Sequence, residues 1–246
     1  MKRTFWITLA AVVAFGAILV ARMPAAWLLP SGPKAPFSCT SIEGSLWSGA
    51  CDGLIVQRMA LGDVSWELQP LKFLLARLGA HVSMNRGSAH GSADVEVGFS
   101  GAVTARNLLA DFALDPQLLP QLPPQLRGDA HADLKVLQAS REGVLKQLQG
   151  TIEAHNLVDH AGHVTPLGSY VISFPGGAGE PVGQLRDLGG PLSVAGTLRL
   201  TSQGGFDVQA LVAARPEATP ELANNIKFLG SPDASGRRQF AMTGSF

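Results

Sequence analysis

The chain has 246 residues, 46% of them apolar and only 15% charged, with 19 basic residues balanced by 19 acidic ones. That apolar fraction excludes a disordered chain, and the length accommodates one sizeable domain or two small ones. A net charge of zero supplies no field to attract phosphates, so nucleic acid is excluded as a partner, and 28 Gly with 16 Pro make the chain turn-rich.

Residues 5–21 (FWITLAAVVAFGAILVA) run without a charge after the basic pair Lys2 and Arg3. Seventeen residues sit at the short end of a membrane-spanning helix. A cleaved secretory signal also has a basic start and an apolar middle, but Leu19-Val20-Ala21 followed by Arg22-Met23-Pro24 is a poor cleavage site, so a retained anchor is expected. Trp6 and Trp27 flank the stretch, one near each expected interface. Residues 22–36, with prolines at 24, 30, 33 and 36, read as an extended linker lifting a domain off the membrane. Cys39 and Cys51 are the two cysteines of the chain. In a chain with an export signal they point to one disulfide in an oxidising compartment, with two unrelated buried thiols as the alternative. Zinc would need two further ligands, and none is close in sequence. The predicted organisation is a cytoplasmic N-terminus (1–4), a transmembrane anchor (5–21), a Pro-rich linker (22–36) and a periplasmic β domain (37–246).

From residue 37 onward the apolar period is mostly two. Val64, Trp66 and Leu68 alternate with polar neighbours, and residues 70–78 (PLKFLLARL) follow, read as two helical turns closed by Gly79 or else as a strand connection. Val95, Val97 and Phe99 make the next strand. Residues 115–126 (DPQLLPQLPPQL) carry four prolines and exclude a regular helix. Further strands are marked by Ala132, Leu134 and Val136, and by Tyr170, Ile172 and Phe174. The clearest hairpin joins 192–201 to 206–212 through Gln203-Gly204-Gly205. Thr219-Pro220-Glu221 supplies an N-cap, a proline at the first helical position and an acid in the first turn, with Leu222, Ile226 and Leu229 on one face before Gly230. Phe240 and Met242 lead to the terminal Phe246. The predicted fold is mainly β: an elongated, curved antiparallel sheet of about ten strands with one or two short helices, preceded by a single transmembrane helix. Gly- and Asp-flanked strands recur along the chain without a strict period.

No catalytic motif is present: there is no GxSxG, no HExxH and no phosphate-binding loop with its lysine. GAGEPVG at 177–183 misses the dinucleotide-binding spacing and places Pro181 where a helix should begin, so it reads as a surface loop. His155, Asp159, His160 and His163 form the densest polar cluster, but their spacing matches no established metal pattern and the segment reads as a solvated turn between strands. Asp111 with Asp115, and Glu217 with Glu221, have the spacing of carboxylate pairs, yet each lies beside a proline in a loop or at a helix start. No catalytic, metal or cofactor site is predicted, and the chain is not expected to be an enzyme.

Several segments together resemble a known family. These are the short basic N-terminus with one apolar span, the Gly-x-x-Trp-x-Gly run of Gly44, Trp47 and Gly49, the Val-Ser-Trp-x-Leu-x-Pro run from Val64 to Pro70, GTLRLTSQGGFDVQALV at 196–212 and the Leu-Gly-x-x-Asp run from Leu229 to Asp233. The chain is similar along nearly its whole length to protein N of the type II, or general, secretion system of Gram-negative bacteria. The resemblance implies a bitopic inner-membrane accessory protein of the machine that moves folded proteins across the outer membrane, with no catalytic residues to carry over. On this view the periplasmic sheet contacts another component, such as the inner-membrane clamp protein or the secretin, by strand addition or surface packing. Trp47 and Trp66 are candidate contacts, with core packing as the alternative. A rival class is an AsmA-like protein that binds or transfers lipid in an apolar groove. An outer-membrane barrel is disfavoured, because one tyrosine gives no aromatic girdle and the strand faces are interrupted by prolines.

Overall fold

The computed structural model describes residues 22–27, 37–56, 59–75, 77–85, 89–114, 123–177 and 179–245. Its strands are β1 (Phe37–Ser38), β2 (Ser41–Gly44), β3 (Ser48–Val56), β4 (Met59–Leu68), β5 (Arg77–Met84), β6 (Ala89–Gly98), β7 (Val103–Ala113), β8 (Leu126–Ala139), β9 (Leu145–Asp159), β10 (Thr165–Pro175), β11 (Val182–Asp187), β12 (Leu192–Leu200), β13 (Gly205–Ala214) and β14 (Arg238–Ser245). Among the described residues one α-helix, α1 (Pro220–Ile226), lies between the last two strands. All fourteen strands join a single sheet. From β3 to β14 every strand pairs antiparallel with its neighbours in the chain, the up-and-down order expected when short turns connect amphipathic strands.

The mainly β, antiparallel class is as expected, but fourteen strands replace about ten. The additional strands are those with the weakest alternation: β1 and β2 are only 2 and 4 residues long, and β11 (VGQLRD) carries little apolar material. The proposed two turns at 70–78 are a 3-10 segment ending at Leu75. Arg77 and Leu78 already belong to β5, as does Gly79, which faces Glu96 across the ladder. Phe99 is not a strand residue but lies in the turn after β6. The predicted anchor at 5–21 lies outside the described residues, as do residues 115–122. Among the described residues no helix is long and apolar enough to cross a membrane.

Directly opposed residues of an antiparallel pair share a face, and the register therefore defines two unlike sides. One row crosses the sheet through Ile42, Cys51, Val64, Met84, Gly91, Ala110, Ala132, Ile152, Ile172, Leu185, Gly196, Ala210 and Phe240 without a polar side chain. Two asparagines with positive φ keep this face apolar along the longer strands: Asn107 (φ 49) and Asn156 (φ 51). Each sits at a register shift and inserts an extra residue, so the alternation resumes on the same face after the bulge.

The core sits on the apolar side of the C-terminal half. Leu134, Leu148, Phe174 and Leu200 form one buried cluster. Phe174 leans across Gly183 of β11, where a Cβ would lie 2.8 Å from its ring. A second cluster joins Val194, Ala210 and Val212 to Ile226 of α1. In the N-terminal half the apolar side carries no comparable layer among the described residues, and Val64, Val82, Val95, Leu108 and Phe112 remain half-buried.

Candidate interaction surfaces

The N-terminal edge is built from an interrupted strand. β1 and β2 both pair with β3, and the break between them falls at Cys39 and Thr40. Cys39 is disulfide-bonded to Cys51 of β3, which fastens the interruption to the sheet. Ser41 Oγ donates to Asp52 Oδ2 at 2.6 Å, and Asp63 Oδ1 accepts from the Gly53 N–H at 2.9 Å where β3 turns through a positive φ of 60.

The GSLWSG run forms the turn between β2 and β3. Gly44 has φ 88, and a Cβ there would lie 2.5 Å from Ser48 O, so only glycine fits. The turn is closed by Ser45 N–H donating to Ser48 O at 2.9 Å, leaving Leu46 and Trp47 at the tip. Trp66 Nε1 donates to Leu46 O at 3.1 Å, and its ring covers Gly49. Trp66 thus holds the hairpin in place, while Trp47 is half-buried at the tip, its carbonyl accepting from Leu68 N–H at 2.7 Å. Residues 22–27, expected to be part of an extended spacer, dock here instead. Met23 O accepts from Leu46 N–H at 2.9 Å, Pro24 bridges to Ser45, and Ala25 is 1% exposed. The physical reason is that the turn leaves the Leu46 N–H to be satisfied, and this short segment supplies the acceptor.

Large apolar side chains stand in solvent at both ends of the strands. Beside the hairpin are Leu71, 77% exposed, and Phe99, 91% exposed; at the opposite ends are Val164, Leu188 and Phe228, the last 88% exposed. Isolated exposure of this kind gives no periodic signal: Phe99, expected to be a strand residue, and Leu71, in the segment expected to form helical turns, carry nothing in the sequence that marks them as exposed. β14 pairs only with β13 among the described strands, so its outer edge presents unpaired backbone groups.

The polar side carries rows of histidine and carboxylate. His81 lies opposite Asp94 at 2.9 Å, and His90, Asp111, His131 and Glu153 occupy facing positions on β6 to β9. His131 Nδ1 is 2.6 Å from Asp111 Oδ1. That hydrogen bond, strengthened by the charges of Glu153 and Asp133, holds the imidazole above its usual pKa. Asp94 is held below the usual carboxylate range by His81 and then by Asn107. The cluster at 155–163 is only partly a turn: His155 lies within β9, 2.8 Å from Glu153, while His160 and His163 follow the strand. The bulge at Asn156 prolongs β9 beyond what the polar sequence suggests. Asp159 accepts from Ala161 N–H. Among the described residues no group of three His, Cys, Asp or Glu side chains could hold a metal ion. Asp111 is likewise a strand residue rather than a loop residue, its partner position Asp115 lies outside the described residues, and Glu221 occupies the first turn of α1. In the 177–183 segment, Glu180 Oε1 accepts from Ser202 N–H at 3.0 Å, and Val182 and Gly183 open β11.

The arrangement offers a free sheet edge and exposed apolar side chains among the described residues. Residues 35–241 match the family described as type II secretion system (T2SS), protein N. Among curated proteins, the type II secretion system protein N of Vibrio cholerae serotype O1 is 31% identical over 224 residues, covering 88% of this chain and 86% of that protein. The protein of the same name from Aeromonas hydrophila is 26% identical over 246 residues, covering 96% of each. No solved structure matches significantly. With the family pattern running through almost the entire sheet, from before β1 into β14, the chain belongs to the type II secretion system protein N family.

Proposed function

We propose that the chain is a non-enzymatic accessory component of the type II secretion machinery, anchored in the bacterial inner membrane by residues 5–21 with its β domain in the periplasm. The observation carrying this reading is the family match across residues 35–241, taken with a sheet whose last strand is free on one side among the described residues. A free edge accepts a strand from a partner, and main-chain hydrogen bonds supply affinity with little demand on sequence. The expected partner is another secretion component, the clamp protein of the inner membrane or the secretin. Trp47 contributes contact area at the hairpin, whereas Trp66 acts from within by holding that hairpin. A photo-crosslinking residue at Thr243 of β14 is expected to capture a secretion component in living cells. In the same strain background, deletion of the gene is expected to abolish exoprotein release with outer-membrane permeability unchanged. Crosslinks absent from Thr243 would remove strand addition from this account, and intact release would remove the secretion role.

A second reading, lipid binding, is favoured by one observation: the apolar row that crosses the sheet is only half-buried over β4 to β7. An acyl chain lying along that side would cover it. Native mass spectrometry of the purified protein separates the two, since a retained phospholipid favours lipid handling and a bare mass favours assembly alone.

A further inference from the structure

We infer that the end of the sheet carrying the 44–48 turn is seated in the headgroup layer of the membrane, its partner being the bilayer surface itself, with β2 to β7 standing upright upon it. The inference rests on the anchor proposed for residues 5–21. A helix of seventeen residues rises about 25 Å, less than the roughly 30 Å of a bilayer's hydrocarbon core. Such a short span draws its flanking residues into the interface. Only Arg22 separates residue 21 from Met23, and two Cα steps reach at most about 7.6 Å. Met23 O is hydrogen-bonded to Leu46 N at 2.9 Å, and Ala25 is buried against the same turn. Whatever depth the end of the span takes, the hairpin tip follows it.

The neighbouring connections present the side chains such a position calls for. The 3-10 segment Pro70–Leu75 adjoins the tip through Leu68 N–H and Trp47 O at 2.7 Å, and it holds Leu71 77% exposed. The next connection at that end, after β6, holds Phe99 91% exposed. Because the strands are antiparallel in chain order, both connections lie at the same end as the 44–48 turn. Exposed Glu43 and Glu142 accompany Arg77 and Arg141 there, so the seating is driven by apolar insertion and the tether, and neutral lipid suffices.

The full chain is reconstituted into phosphatidylcholine vesicles, with or without bromine on the acyl chains. Both native cysteines are bonded to each other, so Leu71→Cys, Phe99→Cys or Phe228→Cys each adds a unique thiol for an environment-sensitive fluorophore. All three side chains are exposed and the substitutions leave packing intact. Bromine is expected to quench the probes at 71 and 99 at least about twofold more than the probe at 228, which sits at the opposite strand end. Equal quenching at all three positions, or none at 71 and 99, overturns the seating. Flotation of the same vesicles after an alkaline wash reads the anchor separately: protein that floats with unquenched probes refutes the seating and leaves the anchor standing, and protein that does not float refutes both.

Discussion

The indole of Trp66 occupies the space where a side chain on Gly49 would stand, directly opposite it on the neighbouring strand: a Cβ on Gly49 would lie 2.5 Å from Trp66 Cζ2 and 2.6 Å from Glu43 O. One of these obstacles is backbone and the other a ring fixed by its hydrogen bond to Leu46 O, so neither yields cheaply. Gly49→Ala is therefore expected to cost about 1–3 kcal/mol, the usual penalty for overfilling a packed site. Trp66→Phe loses both the donor and the fused ring that lies over the glycine, and a cost of about 1–3 kcal/mol is expected. Urea unfolding of the full chain in detergent, followed by circular dichroism, measures both. A glycine variant as stable as the parent would show that the ring moves freely.

Cys39 and Cys51 hold together an edge that is broken in two. With a separation of 12 residues, the cross-link should stabilise by about 3 kcal/mol through restriction of the unfolded chain. Reductant is expected to lower the melting temperature of the parent and leave that of the Cys39→Ser/Cys51→Ser double variant unchanged. A parent insensitive to reductant would mean that β1 and β2 hold without the bond.

The features legible in the sequence were local ones. Thr219-Pro220 starts α1 where expected, Leu222 and Ile226 are its buried residues, and Leu200 faces Phe206 across the turn whose Gly204 takes φ 77. In both cases side-chain and backbone preferences agree within a few residues. Other strands carry an alternation that is interrupted along their length. β9 is 15 residues long, yet its alternation is broken at Asn156, and a pattern read at period two stops there. Glycines conceal strand positions too: Gly91, Gly183 and Gly196 are strand residues because a neighbouring strand or ring comes too close for a Cβ. The candidate surfaces were partly legible, since the tryptophan-bearing turn stood out. Leu71 and Phe99 did not, because an apolar residue in a connection looks the same whether exposed or covered.

The helix α1 is short, and its contribution comes through two buried side chains and one cap. Thr219 Oγ1 accepts from Leu222 N–H at 3.3 Å, so Thr219→Ala should cost about 1 kcal/mol. Ile226 is buried with Val194, Ala210 and Val212, and Ile226→Ala should cost about 2–4 kcal/mol as a cavity opens beneath the helix. Hydrogen exchange separates the two effects. The cap variant is expected to accelerate exchange in residues 220–226 alone, whereas the cavity variant is expected to accelerate it in β12 and β13 as well. Equal, helix-confined exchange in both variants would mean that α1 lies on the sheet without supporting it.

Asp187 lies on the apolar side, facing Tyr170, and its ionisation should govern part of the acid stability. Burial works to raise its pKa, but the Val194 N–H at 3.0 Å and Arg215 Nη2 at 2.5 Å outweigh it, with Gly189 N–H assisting, and the group stays below the usual carboxylate value. Burial and then this negative charge push the Tyr170 hydroxyl up to about 12. A pKa lower in the folded than in the unfolded chain means that the stabilisation is complete above the unfolded value, near 3.9, and disappears as pH falls through the folded value. Melting temperature should accordingly fall on acidification below about pH 4. Asp187→Asn is expected to lower stability by about 1–3 kcal/mol at pH 7, because Arg215 loses its charged partner. It should also flatten the acid slope without abolishing it, since Asp94 and Glu96 titrate in the same direction. Melting curves from pH 2.5 to 7 test this, and parallel slopes for parent and variant would show that Asp187 does not contribute to the acid transition.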